Sequence, residues 1–347
     1  MLDKTPYITG KEGFNSRTML LLATVYTFVL VLFFAVFYLA YFEALRTDAW
    51  PIIPTMALGS FVAGSTFLGG GAVAFPVMTK IMGIDPTLAK QFSLAIQSVG
   101  MSSASLLIIL LNRKLPYRLI AIATAFAALG VVLNLQFAEN LLTTPDLKIG
   151  FSLFVLCFLV VSKLSSSPPS VNYRPHSPAL YPAQSILILF SFLGGWVAGF
   201  IGSGADLFSF CIFFLLCRLP LKTAIQSSVL VMAGCSLIAV LYLYLTQSFI
   251  SQPSKPLVDP VDLVSLWLLA APVVLVGAPI GVLFCRTVSI KTLNVFIYTI
   301  ALLELCSTIV LVDISADRAP YYLGITVLAI TVFLMLKVYG LKLTTRD

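Results

Sequence analysis

Polar groups able to hold a ligand are scarce in this sequence, and those present recur at matched spacing. The stretch FLGGGA (Phe67–Ala72) returns as FIGSGA (Phe200–Ala205). Ala89-Lys90-Gln91-Phe92-Ser93 follows the first copy, and Ala224-Ile225-Gln226-Ser227-Ser228 follows the second. Glycine permits a sharp turn and a close approach of backbone or ligand. Such a turn inside an apolar segment frees N–H and C=O groups, which is tolerated only where protein or a water-filled cavity satisfies them. A helix restarting near Gly71 or Gly204 would aim its positive end at the break, suiting an anion without a buried lysine. The candidate anion-binding residues are therefore Gly69, Gly70, Gly71, Gly202, Ser203 and Gly204. Donors would come from Gln91, Ser93, Gln97, Gln226 and Ser228. Neutral amides and hydroxyls equally suit hydrogen bonds between helices, and glycines equally suit close helix packing. Both readings stay open from the residues alone.

Two carboxylates stand within apolar runs. Asp206 lies two residues past Gly204, and Glu304 lies deep in 291–311. Each is a candidate proton-coupling group; Asp206 also fits a first-turn carboxylate favoured by the helix dipole. Lys80, Lys90 and Lys222 lie near the exits of the broken segments, where long basic side chains reach for the surface. No metal or cofactor is expected. The one histidine, His176, falls in a proline-rich stretch and cannot supply a histidine cluster. The six cysteines all fall in apolar runs with no C-x-x-C, as buried small hydrophobes do.

The elements that must position these groups are membrane spans. The chain is 59% hydrophobic and 10% charged, which makes it an all-α polytopic membrane protein. Its net charge of +7 speaks to topology and gives no reason to expect nucleic acid. Apolar runs predict spans at 19–42, 88–111, 118–137, 147–163, 223–246, 262–285, 291–311 and 320–340. Between them lie two glycine-broken segments, 51–82 and 183–217, each expected to join pieces of half-span length. The domain plan is a cytoplasmic segment 1–18, a first transmembrane half 19–163, a cytoplasmic proline- and serine-rich linker 164–183, a second half 184–340 and a tail 341–347.

Basic links at 112–118, 163–183, 218–222 and 286–291 belong in the cytoplasm. The acidic links 43–51, 138–148, 247–262 and 312–318 belong outside. This sorting works if each broken segment enters and leaves on one face, the first from outside and the second from the cytoplasm. Two inverted-topology repeats result, each a re-entrant hairpin plus three spans, with an extra span at each end and both termini inside. Full spans in place of the hairpins remain an alternative by counting alone.

These motifs resemble the TauE/SafE sulfite exporter family of membrane permeases. The likeness rests on FLGGGAVAFPVM with AKQFS, on FIGSGAD with LPLKTAIQSS, and on Val276-Gly277-Ala278-Pro279-Ile280-Gly281 before Cys285-Arg286. The resemblance implies secondary transport, as an exporter, of small sulfur-containing anions (sulfite, thiosulfate or sulfonates) across the cytoplasmic membrane. It also implies proton coupling. The family's glycine clusters and Ala-x-x-x-Ser positions map onto Gly69–Gly71, Gly202–Gly204, Ala89/Ser93 and Ala224/Ser228. Asp206 stands where the family usually has an apolar residue. An anion channel, or an importer of small anions with the same fold, is the alternative. An intramembrane protease is not supported: Ala205 separates Gly204 from Asp206 in the G-x-G-D comparison, and Ile201 takes the first glycine of G-x-S-G.

Overall fold

In a computed structural model, the structure describes residues 16–46, 49–70, 77–111, 115–138, 149–150, 152–153, 155–156, 159, 180–247, 263–311 and 319–344. All regular structure among them is helical. The helices are α1 (Ser16–Leu45), α2 (Ile52–Ser65), α3 (Pro86–Leu111), α4 (Tyr117–Phe137), α5 (Leu180–Ile201), α6 (Ala205–Cys211), α7 (Leu221–Leu245), α8 (Leu263–Thr287), α9 (Ile290–Leu311) and α10 (Ala319–Thr344). Single π-helical turns, Val77–Ile81 and Ile212–Leu216, precede α3 and α7. Among the described residues, eight helices are long and apolar enough to cross a membrane. Their outward faces are bare hydrocarbon, as with Leu39 and Val310. This is a multi-pass membrane protein. In the predicted span 147–163 the described residues 149–150, 152–153, 155–156 and 159 are helical; of the linker 164–183 only 180–183 are described, as the start of α5, and the tail from 345 lies outside the described residues.

Local chemistry explains where helices begin and end. Asp85 Oδ1 accepts the Thr87 N–H at 2.8 Å, and Pro86 opens α3, where its missing N–H costs nothing. Pro116 and Pro220 precede α4 and α7 in the same way. Both π turns close alike. Met82 N donates to Val77 O and Ile84 N to Met78 O; Cys217 N donates to Ile212 O and Leu219 N to Phe213 O, each at 2.9 Å. The residue at each turn, Gly83 or Arg218, has φ near +65° or +51°. The repeat read in the sequence is therefore matched backbone for backbone in its exits.

The first limbs differ in length, which corrects the expectation of equal half-span pieces. At about 1.5 Å per residue, the 14 residues of α2 reach about 21 Å, and the 22 residues of α5 reach about 33 Å. Thr66 ends α2 early. Its Oγ1 donates to Val62 O at 2.9 Å and accepts from Leu68 N at 3.2 Å, diverting the backbone from the helical ladder. The second segment holds its helix to Ile201 and then turns back sharply. Phe208 on α6 packs on Phe190 of α5, with ring centroids 6.2 Å apart, and its Cβ faces Gly194. A chain that continued straight would carry residue 208 away from residue 194, so α5 and α6 form a hairpin.

Packing exchanges partners between the halves. α2 lies on α8, and α5 lies on α4; α3 lies between α7 and α8, and α7 between α3 and α4. Glycines make both long crossings close. A Cβ at Gly64 would strike the Ala278 carbonyl and one at Gly281 the Phe61 carbonyl; at Gly195 and Gly130 the obstacles are the Ala127 and Phe192 carbonyls. These are the close approaches small residues permit where no hydrophobic force drives helices together. α1 packs on α8 through Phe33 and Phe37 against Trp267, at 6.1 and 6.2 Å, and otherwise faces outward. Cys211, Cys235 and Cys285 are buried and Cys217 is half-buried, but Cys306 is exposed on α9, against the expectation that every cysteine is buried. Cys157 lies outside the described residues.

Two of the basic links, 218–222 and 286–291, meet at one end. Lys222 Nζ donates to Arg286 O at 2.8 Å and to Val288 O at 2.6 Å, and Arg286 Nη1 donates to Leu111 O at 2.8 Å. The start of α7 therefore sits with the ends of α3 and α8. Ala44, Ala49, Ile84, Ala138 and Leu263 share a separate apolar cluster with the start of α3. Gly281→Ala is expected to lower stability by about 1–3 kcal/mol, because its Cβ meets backbone that cannot give. Gly324→Ala, with open space around it, should not. Thermal unfolding of both variants in detergent checks this; equal midpoints would refute the close crossing.

Candidate functional site

The tips of the two broken segments meet. Phe67, in the first break, stacks on Phe210 of α6 with centroids 4.0 Å apart and planes 2° from parallel. Beside this stack, the first glycine of each motif takes the left-handed conformation: Gly69 at φ +70° and Gly202 at φ +75°. Gly204 is at φ +138°. An L side chain rarely adopts these angles, and here it would also lack room. The place of a Cβ at Gly69 is taken by Asp206 Oδ2 and Ser203 Oγ, and that at Gly202 by Ser93 and the Lys90 carbonyl. A Cβ at Gly70 would meet only ordinary contacts, at 3.5 Å and beyond. The missing side chain at Gly69 thus lets one tip touch the polar residues of the other.

Three candidates form one network. Ser93 Oγ donates to Gly202 O at 3.2 Å; Gln97 Nε2 donates to the same carbonyl at 2.6 Å and to Ser93 Oγ at 3.0 Å. α3 of the first half therefore satisfies the carbonyl that the second half gives up at its break. Asp206 is fully buried. Its Oδ1 accepts the N–H groups of Gly204 at 3.3 Å and Leu207 at 3.0 Å. The free N–H groups expected at that terminus are thus partly occupied by the chain's own carboxylate. Among the described residues, Asp206 Oδ2, Ser203 Oγ and Gln97 Oε1 are buried without a hydrogen-bond partner. Orphaned buried polar atoms cost stability, so three around one contact call for a functional explanation.

The other candidates divide. Gln91 and Gln226 are buried at matching positions near the starts of α3 and α7, and each is engaged within the protein. Ser228 is buried but donates to Ile225 O of its own helix at 2.9 Å. Gly71 lies outside the described residues. Glu304 is not brought to the tips by any described contact. Its Oε1 accepts from Ser152 at 2.7 Å and Thr308 at 3.4 Å, making a second buried polar cluster on α9.

Sequence reasoning missed Asn134, Ser209 and Ser227, all buried and all with side-chain atoms lacking partners among the described residues. Asn134 of α4 is wedged against Gly199 of α5, three residues before the second motif's Gly202. An amide in the apolar run 118–137 was the available signal, shared there by Gln136, which is exposed. Ser209 sits three residues after Asp206, on the same helix face.

A profile of the Sulfite exporter TauE/SafE family matches residues 52–307, well over half of the chain. The chain belongs to the TauE/SafE family. Its members are membrane transporters rather than enzymes. No curated protein and no solved structure matches the chain. The matched span takes in both tips, the Ser93–Gln97 network and α8, and leaves α1 and α10 outside.

Gly69→Ala is expected to destabilise the protein by about 1–3 kcal/mol through positive φ and collision with Asp206. Gly70→Ala should change stability by less than about 0.5 kcal/mol. Unfolding midpoints of the pair decide the matter: equal effects would mean the tips do not meet as described.

Proposed function

We propose that this protein is a secondary transporter that exports small sulfur-containing anions, such as sulfite or organosulfonates, across the cytoplasmic membrane. It does so by alternating access at a site between two inverted repeats, coupled to protons. The observation that carries this reading is the meeting of two glycine-broken tips around buried, unpartnered polar atoms. Broken segments meeting at a common polar contact are how repeat-built transporters form a midplane site.

Further observations support the reading. The crossings α2 on α8 and α5 on α4 are what a twofold relation between repeats produces, because each first limb leans on the second full span after the break in the other half. The links 112–118, 218–222 and 286–291, all basic, gather at one end through Lys222 and Arg286. The first hairpin's exit at Ile84 clusters instead with Ala44, Ala138 and Leu263. Opposite exits fit opposite entries, hence inverted topology with the basic end in the cytoplasm. Family membership supports a sulfur anion as cargo. Gln91 and Gln226 offer neutral donors from both repeats. The burial of Ser203 and Asp206 favours a carrier, sealed in each state, over an open channel.

Reconstituted protein should show saturable sulfite flux, accelerated by unlabelled sulfite on the far side. Flux linear in concentration, without counterflow, would point to a channel. Gln91→Ala and Gln226→Ala should each weaken apparent affinity roughly tenfold or more, the worth of a hydrogen bond to a charged group. Unchanged affinity in both variants would remove the glutamines from the site.

A further inference from the structure

Two features of the tip contact are independent of the cargo. Asp206 Oδ1 already accepts two backbone N–H groups, while Oδ2, on the same carboxyl, has no partner among the described residues. Oδ2 faces the first tip at Gly69, beside the equally unpartnered Ser203 Oγ. A proton joining this carboxyl therefore has one oxygen to take, and the resulting O–H points across the seam between the repeats. In the ionised form, that same oxygen presents a buried negative charge to the place where an anion would lie.

We propose that Asp206 Oδ2 is the proton-binding atom of the transport cycle, and that only the carboxylic acid admits an anion to the tip contact. The proton enters from one compartment onto Oδ2. The O–H then donates to the anion, and Oδ1 keeps its two backbone donors. Proton and anion leave together when the tips open to the other side, and the carboxylate returns empty. The unpartnered Ser203 Oγ is the second donor at the contact. This rests on the reading of the protein as an anion carrier, and it deepens that reading by making co-binding obligatory.

The titratable groups around Asp206 are few. Cys235 of α7 lies within electrostatic reach, and Cys211 is on α6 itself. Lys90 of α3 is buried, with its carbonyl against Gly202. The first tip, Thr66–Gly70, and α5 from Ser191 to Ile201 carry no titratable side chain. The π turn after α6 carries none either.

The test uses a sulfonate such as methanesulfonate, whose single charge does not change across the working pH range. In the wild-type protein, sulfonate affinity should fall about tenfold per pH unit above the carboxyl's pKa, with one proton moved per anion, since binding requires the protonated form. Asp206→Asn preserves the shape, an acceptor and a donor. It should flatten the pH dependence and abolish the proton movement. A variant that keeps the wild-type slope and still moves one proton per anion would overturn the proposal.

Infrared difference spectra of the wild-type protein between low and high pH supply a second readout that does not need the variant to fold. A protonated carboxyl band that shifts on anion binding is expected; no band responsive to anion would overturn the assignment. If the band responds to another anion while no sulfur anion is carried, the cargo class falls and the proton site stands.

Discussion

A carbonyl released where a helix breaks must find a donor, and the Gly202 carbonyl finds two on the other half of the chain. Leaving it unpaired in an apolar interior would cost about 1–3 kcal/mol, and more where no water reaches. Ser93 and Gln97 remove that penalty, and in doing so they fix the second tip against α3. Everything near the site follows from this anchor. Ser203 and Asp206 are one and four residues from the held carbonyl, so their side chains are delivered to the first tip. Gly69 has no side chain there to stand in their way.

The repeats are alike in backbone and unlike in chemistry. Their π turns close with the same bonds, and their long crossings use the same glycine-to-carbonyl approach. Yet the position matching Gln97 in the second repeat is Met232, and that matching Lys222 in the first is Thr87. An apolar thioether cannot hold a carbonyl, so the bond that Gln97 makes has no counterpart at Met232. Ser228, matching Ser93, turns to its own helix instead. Two identical tips would make two equivalent ends. Asp206 is matched by Val73 in the first repeat, so the two tips differ in charge.

How much of this was legible in the sequence varied with the kind of question. The breaks were legible because two glycine clusters recur in apolar runs with the same polar pair after each, and this matched spacing exposed the repeat. Charge alone suggested that the links 218–222 and 286–291 share an end, and Lys222 joins them. The role of Gln97 was not. Its polarity marks it as a donor, but whether the acceptor is an anion or the Gly202 carbonyl depends on which helix lies opposite. The unequal first limbs were also hidden. A single threonine, Thr66, ends α2 through side-chain bonds to its own backbone, and the FIGSGA motif has Gly199 at the corresponding place. Glu304 looked equivalent to Asp206 as a carboxylate in a span. Their surroundings differ: Glu304 is met by hydroxyls from Ser152 and Thr308, and Asp206 by backbone N–H groups.

The distribution of contacts also says where the molecule can open. α2 is locked on α8 and α5 on α4 by crossings in which backbone meets backbone, and such packing does not slide by fractions of an ångström. Any rearrangement must therefore carry α2 together with α8, and α5 together with α4. What joins these units at the tips is slighter: one aromatic stack, about 0.5–1.5 kcal/mol beyond its buried area, and the donors on one carbonyl. A seam of that strength lies within what a ligand's differential binding can overcome, because a few kcal/mol is enough to shift a two-state equilibrium by orders of magnitude. The seam that is weakest is also the one lined by unpartnered polar atoms. Opening it would expose those atoms to water, and under the proposed cycle closing it on a loaded site would satisfy them, so the cost of the empty closed state would favour moving loaded.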